Sequence, residues 1–236
     1  MYLIFSGEGS TDTGTVEFPG PMLYLIDQII EHDKRFSYSI LDAQSYEFIS
    51  RKQLDERVKR LRPLPKERDD NNIGLRSKKR FKETGYFYAN ARILATIALE
   101  RKSERADLVI AVLFQDSDTT DQQKWQQKWD SIINGFNAAN FSHGVPMLPK
   151  PTSEAWILCA IYRSENPNGN CNDLENRKHG DRTNHVLKYE LEQKLDAHPT
   201  RELLNEKILS GEINHNNINL PSFNQFKERL NEVLIS

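Results

Sequence analysis

The stretch Asp107-Leu108-Val109-Ile110-Ala111-Val112-Leu113-Phe114 is a continuous apolar run with β-branched members after its first residue. Such a run is typical of a strand that is buried on both faces of a parallel sheet. A helical pattern over 86–102 precedes it, and another over 125–136 follows it. Because strands that alternate with helices indicate parallel connections, the stretch predicts an α/β fold with a mostly parallel sheet flanked by helices.

Working outward from this strand, the same alternation extends over most of the chain. Further strands are predicted at 2–6, 36–41 and 145–148, with helices from Pro21 to about Ile30, over 54–61 and over 154–161. Three helical patterns follow at 186–195, 201–209 and 223–234. We therefore expect a catalytic α/β domain over 1–162, with a basic insertion or loop at 51–85, and a small C-terminal helical appendage over 163–236.

The composition excludes several classes of protein. Of the 236 residues 37% are hydrophobic and 28% charged, and no apolar run approaches the roughly 18 residues that a membrane helix needs. The apolar start of the chain lacks the basic residues of a signal peptide, so a cytoplasmic location without a membrane partner is expected. The two cysteines, Cys159 and Cys171, exclude a disulfide scaffold and a four-cysteine zinc site.

Positive charge is concentrated in one segment. The net charge is −2, but residues 51–82 contain 13 Lys or Arg and 5 Asp or Glu, or +8, which leaves −10 for the remainder. Basic side chains can neutralise nucleic-acid phosphates, and the nearby Tyr86 and Tyr88 can stack on unpaired bases. The alternative is a solvated loop. The predicted nucleic-acid-binding residues are Arg76, Lys78, Lys79, Arg80 and Lys82.

Acidic residues follow two of the predicted strands directly. Glu8 and Asp12 lie in a small-residue turn after the first strand, and Asp116 and Asp118 follow the buried strand. Ligands of open α/β sheets bind at the carboxyl ends of the strands, so four carboxylates converge there if the two strands are neighbours. Hard oxygen ligands favour Mg²⁺ or Mn²⁺, and two such ions about 4 Å apart can clamp a phosphodiester.

A third cluster follows the predicted strand at 145–148. Glu154 is a further candidate ligand, and Lys150 is a candidate for stabilising phosphate charge in a transition state. Structural alternatives exist for each of these residues: Asp12 or Ser153 can cap a helix, and Glu154 can complement a helix dipole. The functional interpretation depends on all three clusters lying, in chain order, at strand ends.

The pattern of Glu8-x-x-x-Asp12, Asp116-x-Asp118 and Ser153-Glu154 near a lysine resembles the TOPRIM fold, and within it the OLD-type nuclease branch. The resemblance covers roughly residues 1–160. It implies that Glu8, Asp116 and Asp118 bind metal or act in acid–base catalysis, and that Asp12 is the additional acid of that branch. It also implies phage defence beside an ABC-type ATPase; this chain has no P-loop, so that ATPase would be a separate polypeptide.

These features predict a metal-dependent endonuclease that hydrolyses DNA or RNA. Glu8, Asp116, Asp118 and Lys150 would be catalytic, and the metal ligands would be Glu8, Asp12, Asp116, Asp118 and Glu154. Two alternatives stay open: a non-catalytic metal-binding subunit of a larger complex, and a phosphoryl- or nucleotidyl-transfer enzyme that acts on small nucleotides.

Overall fold

The chain forms an α/β fold in which helices flank a four-stranded, all-parallel sheet. The computed structural model describes residues 1–15, 17–32, 36, 38–61, 75–105, 107–177 and 186–235, and only the backbone of residues 10, 58–61 and 75–83. The predicted fold class, a mostly parallel sheet with flanking helices, is confirmed.

The sheet places the two acid-bearing strands side by side. Its order is β2-β1-β3-β4, and every neighbouring pair is parallel. Gly7 at the end of one central strand pairs with Phe114 at the end of the other, so all residues that follow these strands share one edge of the sheet. The strands are β1 (Tyr2–Gly7), β2 (Tyr46–Ile49), β3 (Val109–Phe114) and β4 (Gly144–Met147).

Helices follow each strand, and their ends match ordinary start signals. Asp121 caps one helix by accepting a hydrogen bond from the backbone N–H of Lys124, and Thr200 caps another in the same way through Leu203. Among the helices that the structure describes, none is long and apolar enough to cross a membrane. The helices are α1 (Ser10–Thr13), α2 (Pro21–Glu31), α3 (Arg51–Leu61), α4 (Leu75–Glu104), α5 (Gln122–Ala138), α6 (Ser153–Glu165), α7 (Val186–Leu195), α8 (Arg201–Leu209) and α9 (Pro221–Ile235).

The predicted strand at 36–41 is wrong: the described residues of this stretch lie in turns and bends. The reason is a buried carboxylate. Asp27 of α2 accepts a hydrogen bond from the backbone N–H of Ile40 (2.6 Å), which removes this donor from any strand ladder, and another from the side-chain hydroxyl of Ser39 (2.8 Å). The strand is instead β2, five residues further along.

The segment 51–85, predicted to be a basic insertion or loop with one helix over 54–61, is helical over α3 and again from Leu75. α4 begins at Leu75, about eleven residues before the predicted start, and Lys, Arg and Glu are good helix formers even without an apolar face. Residues 62–74 lie outside the described residues.

The C-terminal helices share the core of the α/β body. Trp156 of α6 stacks on Phe226 and meets Phe223 edge-on, both from α9, with ring centroids 5.8 and 5.0 Å apart. Arg229 of α9 donates to the carbonyl of Gly144 in β4, at 3.1 Å. Trp156, Phe223 and Phe226 belong to one hydrophobic cluster that also contains the strands of the sheet. The helices after residue 163 therefore contribute to the same core.

Candidate functional site

The turn after β1 brings Glu8 and Asp12 to the carboxyl edge of the sheet. A Cβ on Gly7 would lie 2.8 Å from the carbonyl oxygen of Phe114, so this position needs glycine to approach β3. Gly9 has φ of +84°, which lets the chain reverse into α1, and a Cβ there would lie 2.9 Å from the Asp12 carboxylate. The two glycines therefore set the positions of the two acids.

The loop after β3 is fixed to the loop after β4. The N–H groups of Ser117 and Asp118 donate to the carbonyls of Pro149 (3.2 Å) and Pro151 (3.0 Å). Asp118 takes a left-handed conformation with φ of +48°, which aspartate tolerates better than most residues. These bonds hold Asp116 and Asp118 next to the start of α6.

Ser153 joins the acids of two strands. Its hydroxyl donates to the Asp12 carboxylate at 2.7 Å, and its backbone N–H donates to the Asp116 carboxylate at 2.9 Å. The N-cap position of α6 is occupied by Thr152, so Ser153 is not the helix cap. The Ser153 N–H, which Asp116 accepts, and the dipole at this helix start favour the nearby negative charge.

The pKa shifts of Asp116 and Asp12 reflect their burial and the carboxylates that lie near them. Burial raises the pKa of Asp116 well above its usual range, and the negative charges of Asp12, Glu154 and Asp118 raise it further. Burial and Glu154 likewise raise the pKa of Asp12 to about 6, although the hydrogen bond from Ser153 opposes the shift. The predicted convergence of acids from β1, β3 and the start of α6 is therefore present in the fold.

Glu8 lies on the Asp118 side of this group. Burial and the charge of Asp118 raise the pKa of Glu8, while Arg51 and Lys128 lower it. The Arg51 guanidinium donates to the Glu8 carboxylate at 2.6 Å. We refer to Glu8, Asp12, Asp116, Asp118 and Glu154 as the acidic centre.

The chemistry of the acidic centre fits a divalent cation, although the side chains are not arranged around one. Within the described part of the chain, no three His, Cys, Asp or Glu side chains form a metal-coordinating group. Three candidate ligands already accept hydrogen bonds from protein groups: Glu8 from Arg51, and Asp12 and Asp116 from Ser153. The ligand atoms are all hard oxygens, and a cation would offset both causes that raise the pKa of Asp116, its burial first and then the charges of its acidic neighbours.

Lys150 lies in a buried network with Gln122 and near Glu175. Its side chain is 5% exposed, and its ammonium donates to the side-chain oxygen of Gln122 at 2.8 Å. Its charge also lowers the pKa of Glu175, a buried residue that accepts a hydrogen bond from the N–H of Ser222. The contacts of Lys150 thus tie α5 and the C-terminal region to the loop after β4.

Cationic residues that the sequence motifs missed lie closer to the acids. Arg51 follows β2, and because that strand was not recognised, its place at the same sheet edge was not predicted. A pocket of about 110 Å³ is lined by Asp12 and Glu154. It is also lined by Lys188 of α7 and by His198, which lies in the segment before α8. Lys188 lowers the pKa of Asp12. No motif marks these two residues, since only the packing of the C-terminal helices brings them here.

The basic segment is placed only in part. Arg76, Lys78, Lys79, Arg80 and Lys82 lie on the first turns of α4, and their side chains lie outside the described residues. Tyr86, further along α4, is described and sits under the Arg51 guanidinium, 5.0 Å from the ring centroid. One of the predicted stacking aromatics therefore borders the acidic centre.

Comparison with family models, with curated proteins and with solved structures finds no match to this chain. The resemblance to TOPRIM nucleases accordingly stays a prediction from short motifs, and functional inference depends on the geometry of the acidic centre.

Proposed function

We propose that this protein is a metal-dependent nuclease that hydrolyses phosphodiester bonds of DNA or RNA. The observation that carries the proposal is the convergence of Asp12, Asp118 and Glu154 on the buried Asp116 at the carboxyl edge of a parallel sheet: all three raise the pKa of Asp116, and Ser153 donates hydrogen bonds to both Asp12 and Asp116. In α/β folds this edge is the usual place of ligand binding.

Each acid has a distinct part in the proposal. Glu8, Asp116 and Asp118 are the core ligands, with Asp12 and Glu154 as secondary ligands. Bound Mg²⁺ or Mn²⁺, in one or two positions, would supply an activated water and would stabilise charge on the leaving oxygen. Ser153 orients two of the carboxylates through its hydroxyl and its N–H. The dipole of α6 reduces the cost of gathering negative charge beside it.

The remaining parts of the proposal depend on the basic residues and on the resemblance. Lys150 stays the predicted cation for transition-state charge, and the basic residues of α4 stay the predicted contact with the nucleic-acid backbone. A role in phage defence beside a separate ABC-type ATPase is supported by the resemblance alone.

Cleavage assays with matched substitutions test the proposal. Purified wild type is incubated with Mg²⁺ or Mn²⁺ and supercoiled DNA, single-stranded DNA or total RNA, beside Asp116→Asn and Glu8→Gln. Asp130→Asn, an exposed substitution of the same kind on α5, is the control. We expect wild type and the control to cut at least one polymer and the two site variants to lose at least a hundredfold in rate. Undiminished cutting by both site variants would refute the proposal.

The two alternatives predict different results in the same assay. A non-catalytic subunit would bind Mn²⁺ without turnover of any polymer. An enzyme of small nucleotides would release phosphate from free nucleotides and would not respond to charge reversal of Arg76, Lys78, Lys79 and Arg80, whereas a nuclease would lose affinity and salt sensitivity.

A further inference from the structure

Arg51 lies at the carboxyl end of β2, two residues after the strand ends at Ile49, so it shares the sheet edge with the acidic centre. Its guanidinium donates to Glu8 at 2.6 Å and lies over the Tyr86 ring. A second acid, Asp55 on the next turn of α3, is 4.0 Å from its Nε. Glu8, a candidate metal ligand after β1, is thus paired with Arg51, the first residue of the helix that follows the neighbouring strand β2.

The exposure of this ion pair makes it exchangeable. The side chain of Arg51 is 50% exposed and that of Glu8 is 25% exposed. Such a partly exposed ion pair contributes only modestly to the stability of a fold, because water reaches both partners when they separate. The pair therefore costs little to break, and its position matters more than its energy.

The surroundings of Arg51 suit a phosphate group. Guanidinium presents a planar fork of N–H donors that matches two phosphate oxygens, and it stacks on aromatic rings, as it does here on Tyr86. Lys128 contributes positive charge to the same rim, because it lowers the pKa of Glu8 and lies 5.1 Å from the centroid of Phe87 on α4. The aromatic ring keeps the guanidinium near the acidic centre when it leaves Glu8.

We propose that Arg51 is a phosphate-binding residue that pairs with Glu8 until a nucleic-acid phosphate takes its guanidinium, which frees Glu8 for the divalent cation. This inference rests on the proposed nuclease function and adds a binding order, in which the phosphate binds Arg51 before the cation binds Glu8. The guanidinium competes with the cation for Glu8, and the phosphate removes that competition. Substrate and divalent cation should then bind with positive cooperativity.

The distinctive consequence is that one substitution moves two affinities in opposite directions. Arg51→Gln removes the competitor for Glu8, so Mn²⁺ should bind more tightly. It also removes a phosphate contact, so nucleic acid should bind more weakly. A residue that only supports the fold would weaken both affinities or leave both unchanged.

The experiment uses the full chain and two probes. Mn²⁺ is titrated by calorimetry without nucleic acid, and fluorescein-labelled 20-nucleotide strands of DNA and RNA are titrated by anisotropy in Ca²⁺. For Arg51→Gln we expect Mn²⁺ to bind three- to tenfold tighter and the strand to bind about tenfold weaker, with a log K against log salt slope reduced by about one. Arg51→Lys keeps the charge without the fork and should recover part of the strand affinity.

Arg57→Gln is the matched control. Arg57 lies on the same helix and donates to Glu100 at 2.9 Å, with side chains 40% and 44% exposed, away from the acidic centre. It should leave both affinities unchanged. If Arg51→Gln weakens Mn²⁺ binding, or alters neither affinity while wild type binds both probes, the inference fails and the nuclease proposal stands. If wild type binds neither Mn²⁺ nor a strand, the nuclease proposal itself fails.

Discussion

Asp12→Asn should stabilise the protein in the absence of metal, because burial and the charge of Glu154 make the ionised Asp12 carboxylate unfavourable in the folded state. The folded protein raises the pKa of Asp12 from 3.8 to about 6. Its neutral form is therefore favoured by folding, and this contribution is complete below pH 3.8 and is lost as the pH rises through 6. At pH 8 the ionised carboxylate opposes folding in full.

The magnitude follows from the shift. A difference of about two pKa units corresponds to about 3 kcal/mol. Because the side chain keeps part of its contact with solvent, we expect about 2 kcal/mol at pH 8. Asparagine has nearly the same shape, and its oxygen still accepts the 2.7 Å hydrogen bond from Ser153, so the substitution removes the charge and little else.

Urea unfolding in EDTA measures this free energy. We expect Asp12→Asn to unfold at higher urea than wild type at pH 8, and the difference to shrink toward zero at pH 4, where the wild-type carboxyl is neutral. Asp130→Asn should show no such pH-dependent gain. A destabilised Asp12→Asn at pH 8, or a gain that persists at pH 4, would show that the ionised Asp12 carboxylate does not oppose folding.

Two further predictions concern other parts of the fold. Burial and the charge of Lys227 lower the pKa of His215 to about 3. Below pH 6.5, His215 therefore binds a proton in the unfolded chain but stays neutral in the folded chain. Stability should fall by about 2 kcal/mol between pH 7 and pH 5 through this residue, and His215→Gln should remove that part of the slope in urea unfolding. Gly9→Ala should lower the free energy of unfolding by about 1–2 kcal/mol and reduce cleavage, because its left-handed backbone is strained for alanine and the new Cβ would collide with the Asp12 carboxylate. Gly85→Ala, in open space within α4, should instead raise the free energy of unfolding by about 0.5–1 kcal/mol, measured by thermal unfolding.

Controls for these two predictions use residues of the same type. His198→Gln, at a side chain that is 66% exposed, should leave the pH slope as it is in wild type. An unchanged slope in His215→Gln would contradict the burial argument. A Gly9→Ala variant as stable and active as wild type would mean that the turn after β1 does not position the acidic centre.

The sequence predicts the sheet and most of the acidic centre because both depend on local patterns. The buried run over 109–114 is apolar on both faces, which only a central strand requires, and the acids follow it directly. The parallel pairing of β1 with β3 then brings Glu8 close to Asp118, and Asp12 close to Asp116, without further information. These are consequences of periodicity and chain direction.

The rest depends on tertiary contacts that no local pattern contains. Ile40 and Leu41 look like a strand, but the Asp27 carboxylate, thirteen residues away, accepts the N–H of Ile40 and holds the chain in a turn. β2 has only four residues and is an edge strand, so its sequence pattern is weak. Without that strand, the sequence does not predict that Arg51 lies at this edge of the sheet. The approach of Lys188 to Asp12 is set by helix packing alone.

The most direct test of the central claim is a calorimetric titration of Mn²⁺ into wild type and Asp116→Asn, without nucleic acid. Burial raises the pKa of Asp116, and the charges of Asp12, Glu154 and Asp118 raise it further, so we expect a divalent cation that neutralises this group of acids to bind the Asp116 carboxylate. We predict saturable binding by wild type and at least a hundredfold weaker binding by Asp116→Asn. Equal affinity of the two proteins for Mn²⁺, or no binding by wild type, would contradict the account.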